Sequence, residues 1–399
     1  MKRKFSVIFI LFAFLLSITC LNSFNYNYVF ADVKKHDNMI KDSISAVSKS
    51  AYLVDYDTKT VIYEKNALQR LPIASMCKIM TLLLTFEAVD NGQISLNQMV
   101  KVSENASSMG GSQVFLETDG EYSVSELVKS ITVASANDAC VAMAELLTGS
   151  EENFVQRMNE RAKELGMDNT VFTNCTGLPS AGQFSCAKDV AKMFGQLLNH
   201  KEYYKFSKIW TDTVSHPHDR KTEISNTNKL IRFYQGCDSG KTGYTSEAGH
   251  CLCASAVRND MRLISVVICA PNSKERFKDV SDMFNFGFNN YVKKVIIDKE
   301  KPLSLEVLVK GGKKENLQVV SEKSVCLLCA KNQKRSVEFS VELNNDIKAP
   351  VNIGDIVGVL RIFENSKEIE CTNILANETI LKKSYFDIIE DISINWQVV

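Results

Sequence analysis

Pro72-Ile73-Ala74-Ser75-Met76-Cys77-Lys78-Ile79-Met80-Thr81-Leu82-Leu83-Leu84-Thr85-Phe86-Glu87 is the stretch on which the rest of the chain depends. Ile79, Leu82, Leu83 and Phe86 recur at helical spacing, which predicts a helix buried on at least one side. Gly92 after Asn91 supplies a stop. Ser75 then stands at the helix N-terminus, where free N–H groups and the helix dipole favour negative charge. Lys78 follows three residues later and returns to the same face. A serine hydroxyl is a poor nucleophile until a base takes its proton. A lysine can be that base only while neutral, a state favoured by desolvation or by a nearby cation. Ser-x-x-Lys in isolation is a common coincidence, and a capping serine beside a solvated lysine is the plainer reading of a single match.

The 399 residues suffice for two domains or more. With 45% hydrophobic and 24% charged residues the composition is that of a folded globular protein, and the formal charge of zero gives nucleic-acid binding no support. Lys2, Arg3 and Lys4 precede an almost wholly apolar run from Phe5 to Ile18, and Val29-Phe30-Ala31 has small residues where a signal peptidase cuts. Residues 1–31 are therefore expected to be a signal peptide cleaved after Ala31, with an uncleaved anchor helix as the alternative, and the protein to be exported. Ser17-Ile18-Thr19 before Cys20 is a poor lipobox. The twelve cysteines do not form a framework: Cys77 and Cys140 fall in predicted helices, and Cys251, Cys253 and Cys269 in strand-like runs. Cys326-Leu327-Leu328-Cys329 has metal or redox spacing but no second pair nearby, so core packing is the better reading. His216-Pro217-His218 has no third ligand and reads as a surface loop.

In chain order, Ala51 to Asp55 and Val61 to Glu64 read as a hairpin. Residues 93–122 read as loops with short strands, and Ser123-Val124-Ser125-Glu126 as a capping box. Helices follow over 139–147, 151–165 and 187–198. Cys251 to Val257 and Met261 to Cys269 read as antiparallel neighbours joined by Arg258-Asn259-Asp260, followed by a helix over 274–293. From about residue 295 the pattern becomes short alternating strands: 303–309, 317–320, 325–329, 337–341 and 355–360. In the tail, Tyr385, Ile388, Ile389, Ile392 and Trp396 share one helical face, with Asp387, Glu390 and Asp391 largely opposite. That tail is expected to touch a membrane weakly.

Two further fragments follow Ser75-x-x-Lys78. Ser135-Ala136-Asn137 precedes a helix, where each residue alone would pass for a cap. Lys241-Thr242-Gly243 opens a set of strands. All three in this order, on a helix start, an inter-helix loop and a strand, are the signature set of penicillin-binding proteins and serine β-lactamases. The wider segments Ser75 to Thr81, Ala134-Ser135-Ala136-Asn137-Asp138-Ala139 and Lys241-Thr242-Gly243-Tyr244-Thr245 resemble the D-alanyl-D-alanine carboxypeptidases, the low-molecular-weight penicillin-binding proteins. So do Glu164-Leu165-Gly166-Met167 and Asn174-Cys175-Thr176-Gly177-Leu178, and the resemblance covers essentially the whole mature chain. It departs at Cys77 and Cys140, where small residues are common, at Ser239-Gly240 after Asp238, and around Gly182 to Ser185, where a His-Tyr pair is absent.

The resemblance implies an α/β fold: a serine β-lactamase/transpeptidase-like domain of antiparallel sheet and helices over residues 32–294, a small all-β domain over 295–379, and the amphipathic tail over 380–399. It implies that Ser75 attacks the carbonyl between two D-alanines of a peptidoglycan stem peptide, with Lys78 as general base and Ser135 relaying a proton to the leaving amine. Asn137 would hold the substrate backbone and the Lys78 amine. Lys241 and Thr242 would bind the terminal carboxylate, Gly243 would allow close approach, and the N–H groups of Ser75 and Tyr244 would form the oxyanion hole. β-Lactams would be covalent inhibitors, and neither a metal nor an organic cofactor is required. The rivals are a β-lactamase, for which Glu164 would have to supply deacylation, and a non-catalytic wall-binding protein.

Overall fold

The computed structural model describes residues 46–332 and 335–396, so the signal peptide expected over residues 1–31 lies outside the described residues. The chain forms two units, divided between Val292 and Lys293. In the first, strands β1 (Ser50–Asp55), β2 (Val61–Lys65), β3 (Cys237–Thr245), β4 (Gly249–Arg258) and β5 (Met261–Ala270) make an antiparallel sheet in the order β2-β1-β5-β4-β3. Its helices are α1 (Lys78–Asp90), α2 (Asn137–Thr148), α3 (Glu151–Glu164), α4 (Ala187–Leu197) and α5 (Ser273–Asn290).

The turn Asn259-Asp260 joins β4 to β5 with both residues at positive φ, the conformation that matches the twist of a two-residue hairpin. Adjacent strand residues point to opposite faces. Leu263 lies against Gly287 of α5, and Ile264 against Gly195 of α4. The sheet is thus covered on both faces, which explains why β4 and β5 are buried almost without interruption instead of alternately. The same covering explains α1. Sequence periodicity predicts burial on at least one side, and ten of its residues are buried, from Lys78 to Phe86 and again at Ala88. Asn91 and Gly92 close it, with Gly92 at φ 71°.

The second unit contains β6 (Tyr291–Ile297), β7 (Val319–Ser321), β8 (Val325–Ala330), β9 (Glu338–Leu343), β10 (Ile356–Glu364) and β11 (Lys367–Ala376). Strands β7, β11, β10 and β9 form one antiparallel sheet in that order, and β6 pairs with β8. Residues 303–309 and the start of 317–320 are not continuous strands; Leu308 meets Asn316 in a single bridge. The longest strand here, β11, escapes the sequence pattern because Lys367, Glu368 and Glu370 make its first half resemble a charged loop. Cys326 and Cys329 sit three apart on β8 and so face opposite ways, which rules out a shared ion. All eleven described cysteines carry free thiols.

Helix α6 (Tyr385–Trp396) starts with reciprocal capping, Ser384 N–H donating to Asp387 Oδ2 at 2.6 Å and Asp387 N–H to Ser384 Oγ at 3.3 Å. Tyr385, Phe386, Ile388 and Ile389 are exposed. No described helix is long and apolar enough to cross a membrane.

Phe86 anchors the interior of the first unit, with its ring centroid 5.7 Å from Tyr203 and 6.2 Å from Phe206. Phe86→Ala is expected to destabilise this unit by about 3–5 kcal/mol, the cost of lost burial plus an unfilled cavity. Denaturant titration reads the loss, and an unchanged midpoint would show that the neighbours collapse into the space.

Candidate active site

Ser75 does not occupy the first turn of α1. It lies in a 3₁₀ turn, Ala74–Cys77, and Lys78 is the first residue of the α-helix. Ala74 enters this turn at φ 47°, a left-handed conformation rare for a residue with a side chain. The turn is gripped from two sides. A Cβ on Gly177 would sit 2.1 Å from the Ala74 carbonyl oxygen, and one on Gly243 would sit 2.6 Å from the Ile73 carbonyl oxygen. No side chain fits at either place. Asn174 Oδ1 accepts from Gly177 N–H at 2.7 Å and shapes the first of these approaches.

Lys78 is fully buried and points into this junction. Its Nζ lies 3.0 Å from Ser75 Oγ, 2.6 Å from Asn137 Oδ1 and 2.6 Å from the Thr176 carbonyl oxygen. As an ammonium it donates to all three. As a neutral amine it keeps two donors for Asn137 and Thr176, and its lone pair then accepts the Ser75 hydroxyl proton. Burial lowers its pKa from the ordinary lysine value, which favours this second state.

Asn137, at the start of α2, also donates from Nδ2 to the Gly110 carbonyl at 2.6 Å and from its N–H to the Ser112 carbonyl at 2.7 Å. That loop is held in turn by Asp138, whose carboxylate accepts from Val114 N–H and Leu116 N–H, each at 3.1 Å. Ser135 precedes α2 after a wide turn, Ser130–Ala134, and adopts φ 64°. Strain of this kind survives only where the surroundings enforce it. Its Oγ accepts from Lys241 Nζ at 2.7 Å.

Lys241, Thr242, Gly243 and Tyr244 lie on β3, the edge strand of the sheet, whose outer edge pairs with no strand among the described residues. Lys241 is fully buried, and burial, followed by the charge of Lys78, holds its pKa well below the ordinary value. The sequence reading allows desolvation or a nearby cation to push Lys78 towards neutrality, and Lys241 is that cation. In the fold both lysines are depressed first by desolvation, and the repulsion bears visibly on Lys241. Tyr244 is exposed and stacks on His250 with ring centroids 4.4 Å apart.

The eight candidate residues therefore line one junction between α1, the start of α2 and β3. Sequence reasoning missed several groups beside them. The carbonyls of Thr176, Gly110 and Ser112 leave no signature in residue type. Arg276, in the first turn of α5, is buried, with Nη1 donating to the carbonyls of Gly243 and Cys251 at 3.2 Å each. Its Nε is buried without a partner among the described residues, and burial lowers its pKa to about 10. Lys274-Glu275-Arg276 looks in sequence like a solvated charged run. His216 is a correction of a different sort. The segment is the surface loop expected, joining strands Thr211–Ser215 and Lys221–Ser225 with His218 exposed, but the His216 side chain turns inward, buried and 2.9 Å from both Tyr122 Oη and Thr222 Oγ1. Among the described residues no group of three His, Cys, Asp or Glu side chains could hold a metal. Glu164 is engaged by Arg157 at 2.7 Å and Arg161 at 2.8 Å on the exposed face of α3, away from the lysines.

Comparison with known proteins supplies the family. Residues 36–272 match the family model described as D-alanyl-D-alanine carboxypeptidase, and residues 291–382 that of the penicillin-binding protein 5 C-terminal domain. The D-alanyl-D-alanine carboxypeptidase DacF of Bacillus subtilis is 39% identical over 363 residues, covering 91% of this chain and 93% of its own. Penicillin binding protein 5 of Haemophilus influenzae superposes with a TM-score of 0.69 at 29% identity, over 85% of this chain and 98% of that one. Penicillin-Binding Protein D2 of Listeria monocytogenes, solved in an ampicillin-bound form, does so with a TM-score of 0.55 at 31% identity, over 61% of this chain and 98% of that one. The two matched segments and the near-complete overlap with these relatives place the chain in the D-alanyl-D-alanine carboxypeptidase family of low-molecular-weight penicillin-binding proteins.

Proposed function

We propose that this protein removes the terminal D-alanine from peptidoglycan stem pentapeptides through an acyl-enzyme on Ser75, and that β-lactams are trapped on the same serine. The observation that carries the reading is the buried Lys78 amine, 3.0 Å from the Ser75 hydroxyl and fixed by two other acceptors. Lys78 takes the hydroxyl proton as Ser75 Oγ attacks the carbonyl carbon. The N–H groups of Ser75 and Tyr244 receive the developing oxyanion, and the near-contact of Gly243 with the Ser75 turn supports that pairing. Ser135, bonded to Lys241, passes a proton to the departing D-alanine amine. Asn137 orients the Lys78 amine and the substrate backbone. Lys241 and Thr242 bind the terminal carboxylate, with the Arg276 charge behind Gly243 adding to the attraction. Water then completes the cycle by hydrolysing the ester. Commitment of Glu164 to two arginines speaks against its use as the deacylating base of a β-lactamase.

In this reading residues 1–31 direct export and are removed, residues 32–294 are catalytic, and 295–379 form the accessory β-domain. The tail over 380–399 rests on the membrane surface, a view supported by the exposed Tyr385, Phe386, Ile388 and Ile389. The site of action is the cell wall outside the cytoplasmic membrane.

Ser75→Ala is expected to abolish both D-alanine release from a pentapeptide and covalent labelling by a fluorescent penicillin. Mass spectrometry of the released amino acid and gel fluorescence read the two, and labelling at the unmutated rate would remove Ser75 from its role. The pH profile gives a second test. Acylation needs Lys78 neutral and carboxylate binding needs Lys241 charged, so kcat/KM should pass through a maximum whose rising and falling limbs belong to the two lysines as a coupled pair. Both pKa values are depressed by burial, so both limbs should lie below about 10.4, the ordinary lysine value. A rising limb at or above that value would mean that another group is the base.

Amidating the terminal D-alanine is expected to cost about 2–5 kcal/mol of transition-state binding, as for a buried charge deprived of its partner. Lys241→Gln should therefore slow the free acid far more than the amide in kcat/KM. Equal losses on both substrates would assign Lys241 to the fold or to the Lys78 titration instead of to the carboxylate.

A further inference from the structure

Three successive main-chain carbonyls, those of Asn174, Cys175 and Thr176, each accept a hydrogen bond from the start of α1 or from the turn that leads into it. Cys77 Sγ donates to the first at 3.2 Å, Thr81 Oγ1 to the second at 3.1 Å and Lys78 Nζ to the third at 2.6 Å. Cys140 Sγ, on α2, also lies 3.1 Å from the Cys175 carbonyl oxygen, so both lone pairs of that oxygen meet a donor. Of these four side chains the chemistry proposed above uses Lys78 alone. Cys77 and Cys140 are also two of the places where the sequence departs from the carboxypeptidases it resembles.

Thr81 is the most telling of the four. A threonine inside a helix often returns its hydroxyl to the carbonyl four residues earlier. Thr85 does so, donating to the Thr81 carbonyl at 2.8 Å. Thr81 is equally buried and one turn away, yet its hydroxyl leaves the helix for the Cys175 carbonyl. Cys77 makes the matching contact one turn earlier, and burial raises its pKa, which keeps the thiol a donor. We infer that Thr81, seconded by Cys77, is a positioning residue of the acyl-transfer centre: it anchors the Asn174–Thr176 segment, and the anchored Thr176 carbonyl aims the Lys78 lone pair at Ser75. The effect on rate rests on the function proposed above; the anchoring of the segment does not.

The geometry of an amine supplies the reason. Neutral Lys78 has two hydrogens and one lone pair, fixed relative to one another. With the hydrogens on Asn137 Oδ1 and the Thr176 carbonyl, the lone pair is left for the Ser75 hydroxyl. Asn137 alone sets one direction only, and the amine can then turn about that bond and carry the lone pair off the serine. Peptide units are rigid, so pinning the carbonyls of Asn174 and Cys175 leaves the next one little freedom. The segment ends at Gly177, whose backbone presses on the Ala74 carbonyl, so a shift there also reaches the Ser75 turn. A displacement of about 1 Å in a reacting group can cost a hundredfold in rate. Thr81 Oγ1 itself is turned to the Cys175 carbonyl, away from Ser75, so its loss should act on the rate of the covalent step and spare the binding that precedes it.

Thr81→Val removes the hydroxyl and keeps the branched shape, whereas Thr81→Ser keeps the hydroxyl. In the full chain, the acylation rate at saturating fluorescent penicillin should fall about tenfold or more in Thr81→Val, with the half-saturating concentration nearly unchanged, and should largely recover in Thr81→Ser. A mere loss of folded protein would lower the amount labelled and leave its rate alone. Hydrogen exchange read by mass spectrometry follows the segment without any chemistry at Ser75. Its amides are held by Glu151 Oε1, 3.0 Å from Cys175 N–H, and by Asn174 Oδ1, 2.7 Å from Gly177 N–H. The peptide spanning 174–178 should exchange faster in Thr81→Val and at the unmutated rate in Thr81→Ser. An unmutated acylation rate in Thr81→Val, equal losses in both variants, a loss confined to half-saturation, or unchanged exchange each overturns the assignment. Should Thr81→Val fail to fold, Cys77→Ala against Cys77→Ser makes the same comparison at the Asn174 carbonyl, with the same outcomes deciding. Absent labelling of the unmutated protein would instead count against Ser75, and the exchange rates would still decide whether Thr81 anchors the segment.

Discussion

Taking the Lys78 ammonium out of water is the constraint from which the rest of the first unit follows. A buried charge of this kind is tolerated only with its donors matched or its proton surrendered. Here three acceptors come from three distant parts of the chain: the Ser75 hydroxyl, the Asn137 amide oxygen and the Thr176 carbonyl. Each segment must arrive in register for the lysine to be satisfied. The fully buried α1 carries that lysine from the interior, where Phe86 and its aromatic neighbours fix the helix. A second buried lysine, Lys241, brings the same demand to the opposite wall of the site.

Close backbone approach is the other half of the design. Gly177 and Gly243 leave no space for a side chain because the carbonyls of Ala74 and Ile73 occupy it. The serine turn is therefore wedged between a loop and the edge of a sheet, with Ala74 in a left-handed conformation at its entry. Preorganisation of this sort matters for acyl transfer, since donors already in place need not reorganise when charge appears. An unpaired strand edge beside the nucleophile also offers an extended peptide a set of main-chain partners.

Much of this was legible in residue type and order. Ser75, Lys78, Ser135, Asn137 and Lys241 announce themselves because their side chains must be those, at those spacings on a helix start, a loop and a strand. The Asn259-Asp260 hairpin was legible for the same reason, since few residues accept two successive positive φ angles. What stayed hidden was either backbone or context. Carbonyls such as that of Thr176 belong to every residue, so nothing marks them. Arg276 and His216 are polar residues whose burial depends on partners from elsewhere in the fold, and local pattern sees only charged or turn-like neighbours. The 3₁₀ entry to α1 was hidden because Gly177, a hundred residues onward by about that order, enforces it through space. In β11, three charged residues mask a strand whose second half, Thr372 to Ala376, carries the alternation.

The free thiols have a bearing on how the molecule comes into being. Eight of the eleven described cysteines are buried and none is bridged. In the unfolded chain those sulfurs are all exposed at once. Where an oxidant is present any two can then join, and nearly every such pairing would be foreign to the native packing. A thiol left over attacks and scrambles the bonds already made. Collapse around α1 shelters the sulfurs, and under oxidising conditions biogenesis becomes a race between two rates, decided by how quickly the interior closes and by how much oxidant is at hand.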